Sequence, residues 1–384
     1  MFGSALSLVT GILIGLSALP LSSGYNANPS LAYDALFHPD IMIFGVLGGL
    51  LITEKLESME KFMVLKLFRI SRPTIFFLFS GIAVVSIGYL YANLFLVDTG
   101  LILVMFAALL FLYFLTSKRG HSLISIRWIF GASAASIAFS AFANTTSPIW
   151  MNVQLTYLAL LFPIIYIMAE RVELGFVRGM NRRTIALQAA LSWSIVISGF
   201  VAAEYPHYPF RNFAMGSSIL LLLFMILSTV NFDPSFRKSQ RKGKFQVYMR
   251  TGVAVAYFWL FLGLALFTIQ LTTSEDILDA ATHSIALGFI GTFIVAHSPI
   301  IFPMTLKRNA VQDNVTFLPL VVITIATAMR IFGDLGSGMN AIWNIVSYLS
   351  GYVLIIAILA FVYNLKRITV PSGTMVSTER IQQN

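Results

Sequence analysis

The chain contains five histidines and no cysteine. Any metal chemistry therefore rests on imidazole, methionine thioether and carboxylate, while disulfides, thiolate metal sites, iron–sulfur clusters and c-type haem attachment are excluded. Two histidines stand where apolar, glycine-bearing segments open. His38 begins the stretch His38-Pro39-Asp40-Ile41-Met42-Ile43-Phe44-Gly45, and His283 lies in Asp279-Ala280-Ala281-Thr282-His283-Ser284-Ile285-Ala286-Leu287-Gly288. A haem iron takes axial imidazoles from two facing elements, with small residues nearby so that helices and a flat macrocycle can approach. His38 and His283 fit the ligand role and Gly45 and Gly288 the small-residue role, although glycines in membrane helices also mark close packing alone.

The neighbours of these histidines extend the same chemistry. Asp279 stands four residues before His283 and can accept a hydrogen bond from its ring, setting the tautomer; a plain helix-start carboxylate is the alternative. Haem propionates need cationic partners, for which Arg211 and Arg330 are the candidates. The plainer readings are a local ion pair of Arg330 with Asp334, one helical turn on, and an interfacial loop position for Arg211 beside Tyr205-Pro206-His207-Tyr208-Pro209-Phe210. His297 stands 14 residues after His283. At about 100° per residue the two fall about 40° short of four full turns, with a rise of about 21 Å, which puts both rings on one face at opposite depths. That spacing suits a second haem only with another deep histidine, for which His121, in the loop Lys118-Arg119-Gly120-His121, is the remaining candidate. His297 and His207 are further metal candidates, with copper as a second cofactor, and a kink at Ser298-Pro299 around a satisfied core histidine is the bland reading of His297.

The elements that position these residues are membrane spans. The 384-residue chain is 58% hydrophobic and 11% charged, with a mean hydropathy of +0.83, far from the roughly 25% charged residues of soluble domains. An ordinary cytosolic enzyme is excluded. Runs long enough for a hydrocarbon core of about 30 Å lie near 4–24, 37–54, 73–96, 98–116, 123–146, 150–172, 184–204, 214–232, 247–271, 278–303, 315–336 and 343–365. The fold class is thus an all-α integral membrane protein of about twelve transmembrane helices. With both termini cytoplasmic, all but Arg211 and Arg330 of the 25 basic residues fall on the inner side, as the positive-inside rule requires. The net charge of +9 therefore reads as topology, not as nucleic-acid binding, and the basic run Arg237–Lys244 as a solvated loop more than a headgroup site. The first run lacks a basic leader region and a small-residue cleavage site, so it is read as a retained helix. Residues 1–370 form a single twelve-helix domain without a clear internal repeat, and 371–384 a polar, disordered cytoplasmic tail. Phosphate-cradling loops, a His-Glu-x-x-His helix and a nucleophile elbow are missing. Helices six and seven hold no histidine for a copper partner.

Two segments carry a family resemblance. Asp279-Ala280-x-x-His283-x-x-x-x-Gly288-x-x-Gly291-Thr292-x-Ile294-x-Ala296 resembles the late motif of NnrS-type membrane proteins, and His38 through Gly45 resembles their early His-x-x-x-Met-x-x-Gly stretch. The resemblance covers about thirty residues. It implies a twelve-helix haem protein, with copper also reported in the family, linked to nitric oxide metabolism. Where that family typically continues into Gly-His-Thr-Gly-Arg, this chain reads Met304-Thr305-Leu306-Lys307-Arg308, and where its early stretch often holds two histidines only His38 stands here. A more distant similarity is to the catalytic subunit of haem–copper oxidases, whose low-spin haem ligands come from helices two and ten; it implies a low-spin haem site without an oxygen-reducing centre.

The expectation is a multi-pass cell-membrane b-type haem protein for electron transfer or nitric oxide related chemistry, as an oxidoreductase or electron-transfer subunit, embedded in lipid and served by a redox partner or other membrane subunits. A non-catalytic anchor subunit of a respiratory complex and a transporter of a small ion or metal are the rival classes.

Overall fold

The computed structural model describes residues 38–62, 68–116, 124–146, 152–205, 207–236, 243–273, 277–305, 309–310 and 314–370. The first expected span, His121 and the polar tail lie outside the described residues. Eleven helices succeed one another among the described residues: α1 (38–62), α2 (Phe68–Leu90), α3 (Leu94–Thr116), α4 (Ile124–Asn144), α5 (Val153–Val177), α6 (Arg182–Glu204), α7 (Tyr208–Val230), α8 (Lys244–Thr272), α9 (278–305), α10 (Leu318–Gly336) and α11 (Ala341–Ile368). Ten of them, α2 to α11, are long and apolar enough to cross a membrane. The protein is a multi-pass helical membrane protein. Its described helices overlap the spans expected from hydropathy, with α1 ending eight residues later than expected and α2 and α7 displaced by up to six; polar connections supply caps. Asn152 accepts from the Gln154 and Leu155 amides at 3.0 and 3.1 Å to open α5, and Asn181 accepts from Thr184 N at 2.7 Å to open α6, each satisfying amides that have no partner inside the helix.

Two helices depart from regular α-geometry. In α1 the residues Ile41–Gly48 form a π-helical run before the α-helix resumes at Gly49. In α9 the residues Ser284–Gly291 do the same between Leu278–His283 and Thr292–Thr305. Such wide turns are rare and concentrate at functional sites. Each run starts within three residues of a histidine.

The chain divides into two compact units, Met1–Pro234 with Leu271–Thr273, and Ser235–Gln270 with Ser274–Asn384, where the sequence suggests one domain. In the first unit α5 is the buried centre, with every residue from 154 to 169 enclosed, as expected of a helix that is apolar all round. The closest packing there joins α2 to α3. A Cβ on Gly81 would lie 2.7 Å from the Gly100 carbonyl oxygen, and one on Gly100 would lie 2.6 Å from the Val85 amide nitrogen, so backbone meets backbone through paired glycines. Gly100→Ala is expected to push α2 and α3 apart and lower the thermal midpoint in detergent, whereas Ala108→Gly on the same helix, which adds no atoms, is expected to perturb it less.

In the second unit α10 and α11 make a similarly tight pair. Many large side chains of α11, among them Ile345, Leu349, Ile356, Leu359 and Val362, are exposed; an apolar surface of this extent belongs in lipid. Tyr248 of α8 donates its hydroxyl to Val295 O of α9 at 3.0 Å. The two-residue strands β1 (Asn309–Ala310) and β2 (Thr369–Val370) pair antiparallel. Although the sequence shows no repeat, each unit contains a histidine-led helix with a π-helical run, succeeded in the chain by a tightly packed helix pair.

Candidate cofactor site

The second unit gathers the most chemistry around His283, one turn into α9. The start of α9 is held by α8 at two points: Ile277 N donates to Gln270 Oε1 at 2.7 Å, and Ser284 Oγ donates to the Trp259 carbonyl at 2.8 Å. Helical spacing then delivers Asp279 onto the face of His283. His283 Nδ1 lies 2.9 Å from Asp279 Oδ1 and 3.0 Å from the Asp279 carbonyl oxygen. With acceptors on that side, Nδ1 carries the ring proton and Nε2 is the atom a metal would take. Asp279 is thus within hydrogen-bond distance of the ring and is also an exposed carboxylate at the helix start.

Arg330 and Asp334, on α10, complete the cluster. The Arg330 guanidinium donates to Asp279 Oδ2 and pairs through Nε with Asp334 Oδ2 at 3.0 Å. The local ion pair with Asp334 is therefore present, and a second, inter-helix pair with Asp279 accompanies it. Asp334 Oδ1 accepts from Ser347 Oγ of α11 at 2.6 Å. That approach depends on Gly333, because a Cβ there would stand 2.5 Å from the Ser347 amide nitrogen. One ligand atom from each of Asp279, His283 and Asp334 lies within 4.8 Å of the others.

Gly288 sits inside the π-helical run, and the Trp259 ring fills the space above it: a Cβ at Gly288 would lie 2.5 Å from Trp259 Cγ. The glycine is accounted for by this packing. Trp259 itself is buried, and its indole Nε1 has no hydrogen-bond partner among the described residues, leaving a polar donor beside the His283 segment.

His297 is buried, stacks on Phe293 with ring centroids 4.0 Å apart, and engages the Phe293 carbonyl oxygen through Nδ1 at 2.9 Å. The shared face expected for His283 and His297 assumed an unbroken α-helix. The π-helical run Ser284–Gly291 inserts extra residues per turn, and one inserted residue already rotates the remainder of the helix by about 100°. The spacing argument for a second haem on this helix loses its basis.

In the first unit His38 is half-buried at the head of α1 and Gly45 is buried in the π-helical run behind it. Two residues on from His38, Asp40 is fully enclosed. Its Oδ2 accepts from the Tyr89 hydroxyl at 2.8 Å and its Oδ1 from Asn144 Nδ2 at 2.8 Å, which ties α1 to the ends of α2 and α4. Sequence reasoning did not single out this carboxylate, though an acid among apolar residues is itself a signal. His207 caps α7 and is exposed, with its ring 5.5 Å from Tyr205. Arg211 is half-buried in the first turn of α7, where its amide donates to His207 O at 3.0 Å.

The first unit also holds a set of charged pairs, one enclosed and one partly exposed. Lys55 of α1 pairs with Glu173 of α5 at 3.0 Å and lies 3.8 Å above the Phe130 ring. Arg171 faces Asp233 at 3.8 Å with both side chains enclosed. These contacts tie helices of the first unit and present no ligand set for a metal.

The model of one protein family, described as "Domain of unknown function (DUF8744)", matches residues 1–370. No curated protein matches the chain.

Proposed function

The chain belongs to the DUF8744 family, whose description assigns no activity, and from its own residues we propose that it is an integral-membrane b-type haem protein for electron transfer or nitric oxide related chemistry, with His38 and His283 as the iron ligands. One observation carries the reading. The two histidines that stand at the heads of apolar, glycine-bearing segments are also the two that lead into the π-helical runs Ile41–Gly48 and Ser284–Gly291, a geometry that functional sites favour.

At His283 the donor set suits the group, while the Trp259 ring takes the space at Gly288. The His283 ring meets Asp279 through Nδ1, so Nε2 is the atom that would bind iron, and Trp259 Nε1 is a buried donor in need of an acceptor. Bound haem would supply one-electron exchange, and a diatomic ligand would reach the iron only by displacing one of the two histidines. The chain's own work is to hold the imidazole plane, exclude water with apolar helices and compensate charge. Arg211 and Arg330 are the candidates for the propionates, and Arg330 already serves two carboxylates. The topology belongs to the same reading: twelve spans with both termini cytoplasmic, on the distribution of basic residues under the positive-inside rule.

The test is an absorption spectrum of the detergent-purified chain, oxidised and dithionite-reduced, with a pyridine haemochrome assay. About one b-type haem per chain in six-coordinate form is expected. A preparation that stays colourless after reconstitution with haemin contradicts the reading. A divalent-cation site is the second reading, because Asp279, His283 and Asp334 bring ligand atoms within 4.8 Å of one another. The Arg330 guanidinium on both carboxylates opposes it. A colourless protein that retains a stoichiometric divalent metal, and loses it in His283→Ala, would support that second reading.

A further inference from the structure

The cluster around His283 contains more than a ligand and its hydrogen-bond partner, and the surplus has a direction. From the ring outward the order is His283, Asp279, Arg330, Asp334, Ser347, with contacts of 2.9 Å from ring to Asp279, 3.0 Å between Arg330 and Asp334 and 2.6 Å from Ser347 to Asp334. The series starts on α9, passes to α10 and ends on α11. Asp279 is by itself a poor anchor, because its side chain is 55% exposed and free to turn toward solvent. Arg330, with 13% exposure, is fixed, and it grips Asp279 Oδ2 while Oδ1 faces the ring. Asp334 faces Arg330 as an ion pair whose Nε and Oδ2 are not aligned as a hydrogen bond, and Ser347 holds Asp334 by a hydrogen bond. Gly333 and the closeness of α10 and α11 exist at the level where this last link is made.

We infer that Arg330, Asp334 and Ser347 are positioning residues that lock the tautomer and ring plane of His283 by acting through Asp279. The inference rests on the reading of His283 as an iron ligand, but the lock is a property of the protein before any group binds. A partner of this kind fixes ring orientation and raises ligand basicity, and its loss typically lowers affinity about 10–100-fold. Arg330 would therefore act on a bound iron through Asp279 and His283.

Two readouts test it. The first is ¹⁵N NMR of histidine-labelled protein without haem, with the His283 signals assigned by their absence in His283→Ala. Wild type is expected to show a single Nδ1–H tautomer; Arg330→Met should give a mixture of tautomers, Ser347→Ala a smaller change in the same direction, and Arg330→Lys should restore most of the wild-type signal. The second readout is the midpoint potential of the haem-loaded protein, which should move in the positive direction in Arg330→Met as His283 becomes a weaker donor, and return toward wild type in Arg330→Lys. Helical circular dichroism and elution volume accompany each variant, and if Arg330→Met does not fold, Ser347→Ala decides. An Nδ1–H population unchanged in both Arg330→Met and Ser347→Ala overturns the inference. A tautomer lock that depends on Arg330 in a chain that takes up no haem supports the inference while removing the haem reading on which its purpose rests.

Discussion

Replacing His283 with alanine is expected to abolish the six-coordinate haem spectrum and lower haem retention at least about 10-fold, since an axial bond and the helix contacts around it are lost together. The ring is held at 2.9 Å by Asp279, and α9 is pinned to α8 by Gln270 and Trp259 on either side of it. His297, the other described histidine on this helix, stacks on Phe293 and engages its carbonyl at 2.9 Å, with the π-helical run Ser284–Gly291 between it and His283. His38→Ala should have the same spectral consequence, while His207→Ala, at the exposed cap of α7, should leave haem content and spectrum unchanged. Haemochrome stoichiometry and the oxidised absorption spectrum of the three variants check the assignment. Full haem content with an unaltered spectrum in both His38→Ala and His283→Ala would remove it.

The second large effect is on stability. Asp40 is enclosed and accepts from both Tyr89 and Asn144 at 2.8 Å. In Asp40→Ala the bonds from Tyr89 and Asn144 to the carboxylate are both lost, and a buried hydrogen bond left unmade costs about 1–3 kcal/mol. A sharp fall in the thermal midpoint of the detergent-solubilised protein should result. Asp40→Asn keeps an acceptor oxygen and should fall less; Tyr89→Phe removes one donor and leaves the Asn144 bond in place, so it too should be milder than the alanine. Equal midpoints in Asp40→Ala and wild type would show that the three-helix tie among α1, α2 and α4 contributes nothing. Because Asp40 sits at the head of the π-helical run Ile41–Gly48, the same variant should also weaken haem retention.

The helices were largely legible from hydropathy, because membrane spans declare themselves through apolar length and charged ends. Asn152 and Asn181, which cap α5 and α6, fall within a few residues of the expected boundaries. Contacts within one helix were legible as well: the four-residue spacings of Asp279 to His283 and of Arg330 to Asp334 are set by helical periodicity alone. The π-helical runs were not, since a five-residue hydrogen-bond step is imposed by packing, such as Trp259 pressing on Gly288, and carries no period in the sequence. Neither was the pairing of Arg330 with Asp279, 51 residues apart, or of Asn144 with Asp40, 104 residues apart, which depend on which helices become neighbours. The expected common face of His283 and His297 failed for the same reason, with a regular ruler laid across an irregular helix. Glycine illustrates the difference between a residue type and its use: Gly288 promised room for a cofactor and instead receives an indole ring.

The central proposal is that His38 and His283 each ligate haem iron. Electron paramagnetic resonance of the ferric, detergent-purified protein tests it most directly. The account predicts a low-spin signal of bis-imidazole type that disappears in His38→Ala and in His283→Ala. A high-spin ferric signal in the wild type, or a low-spin signal that survives both substitutions, would contradict it.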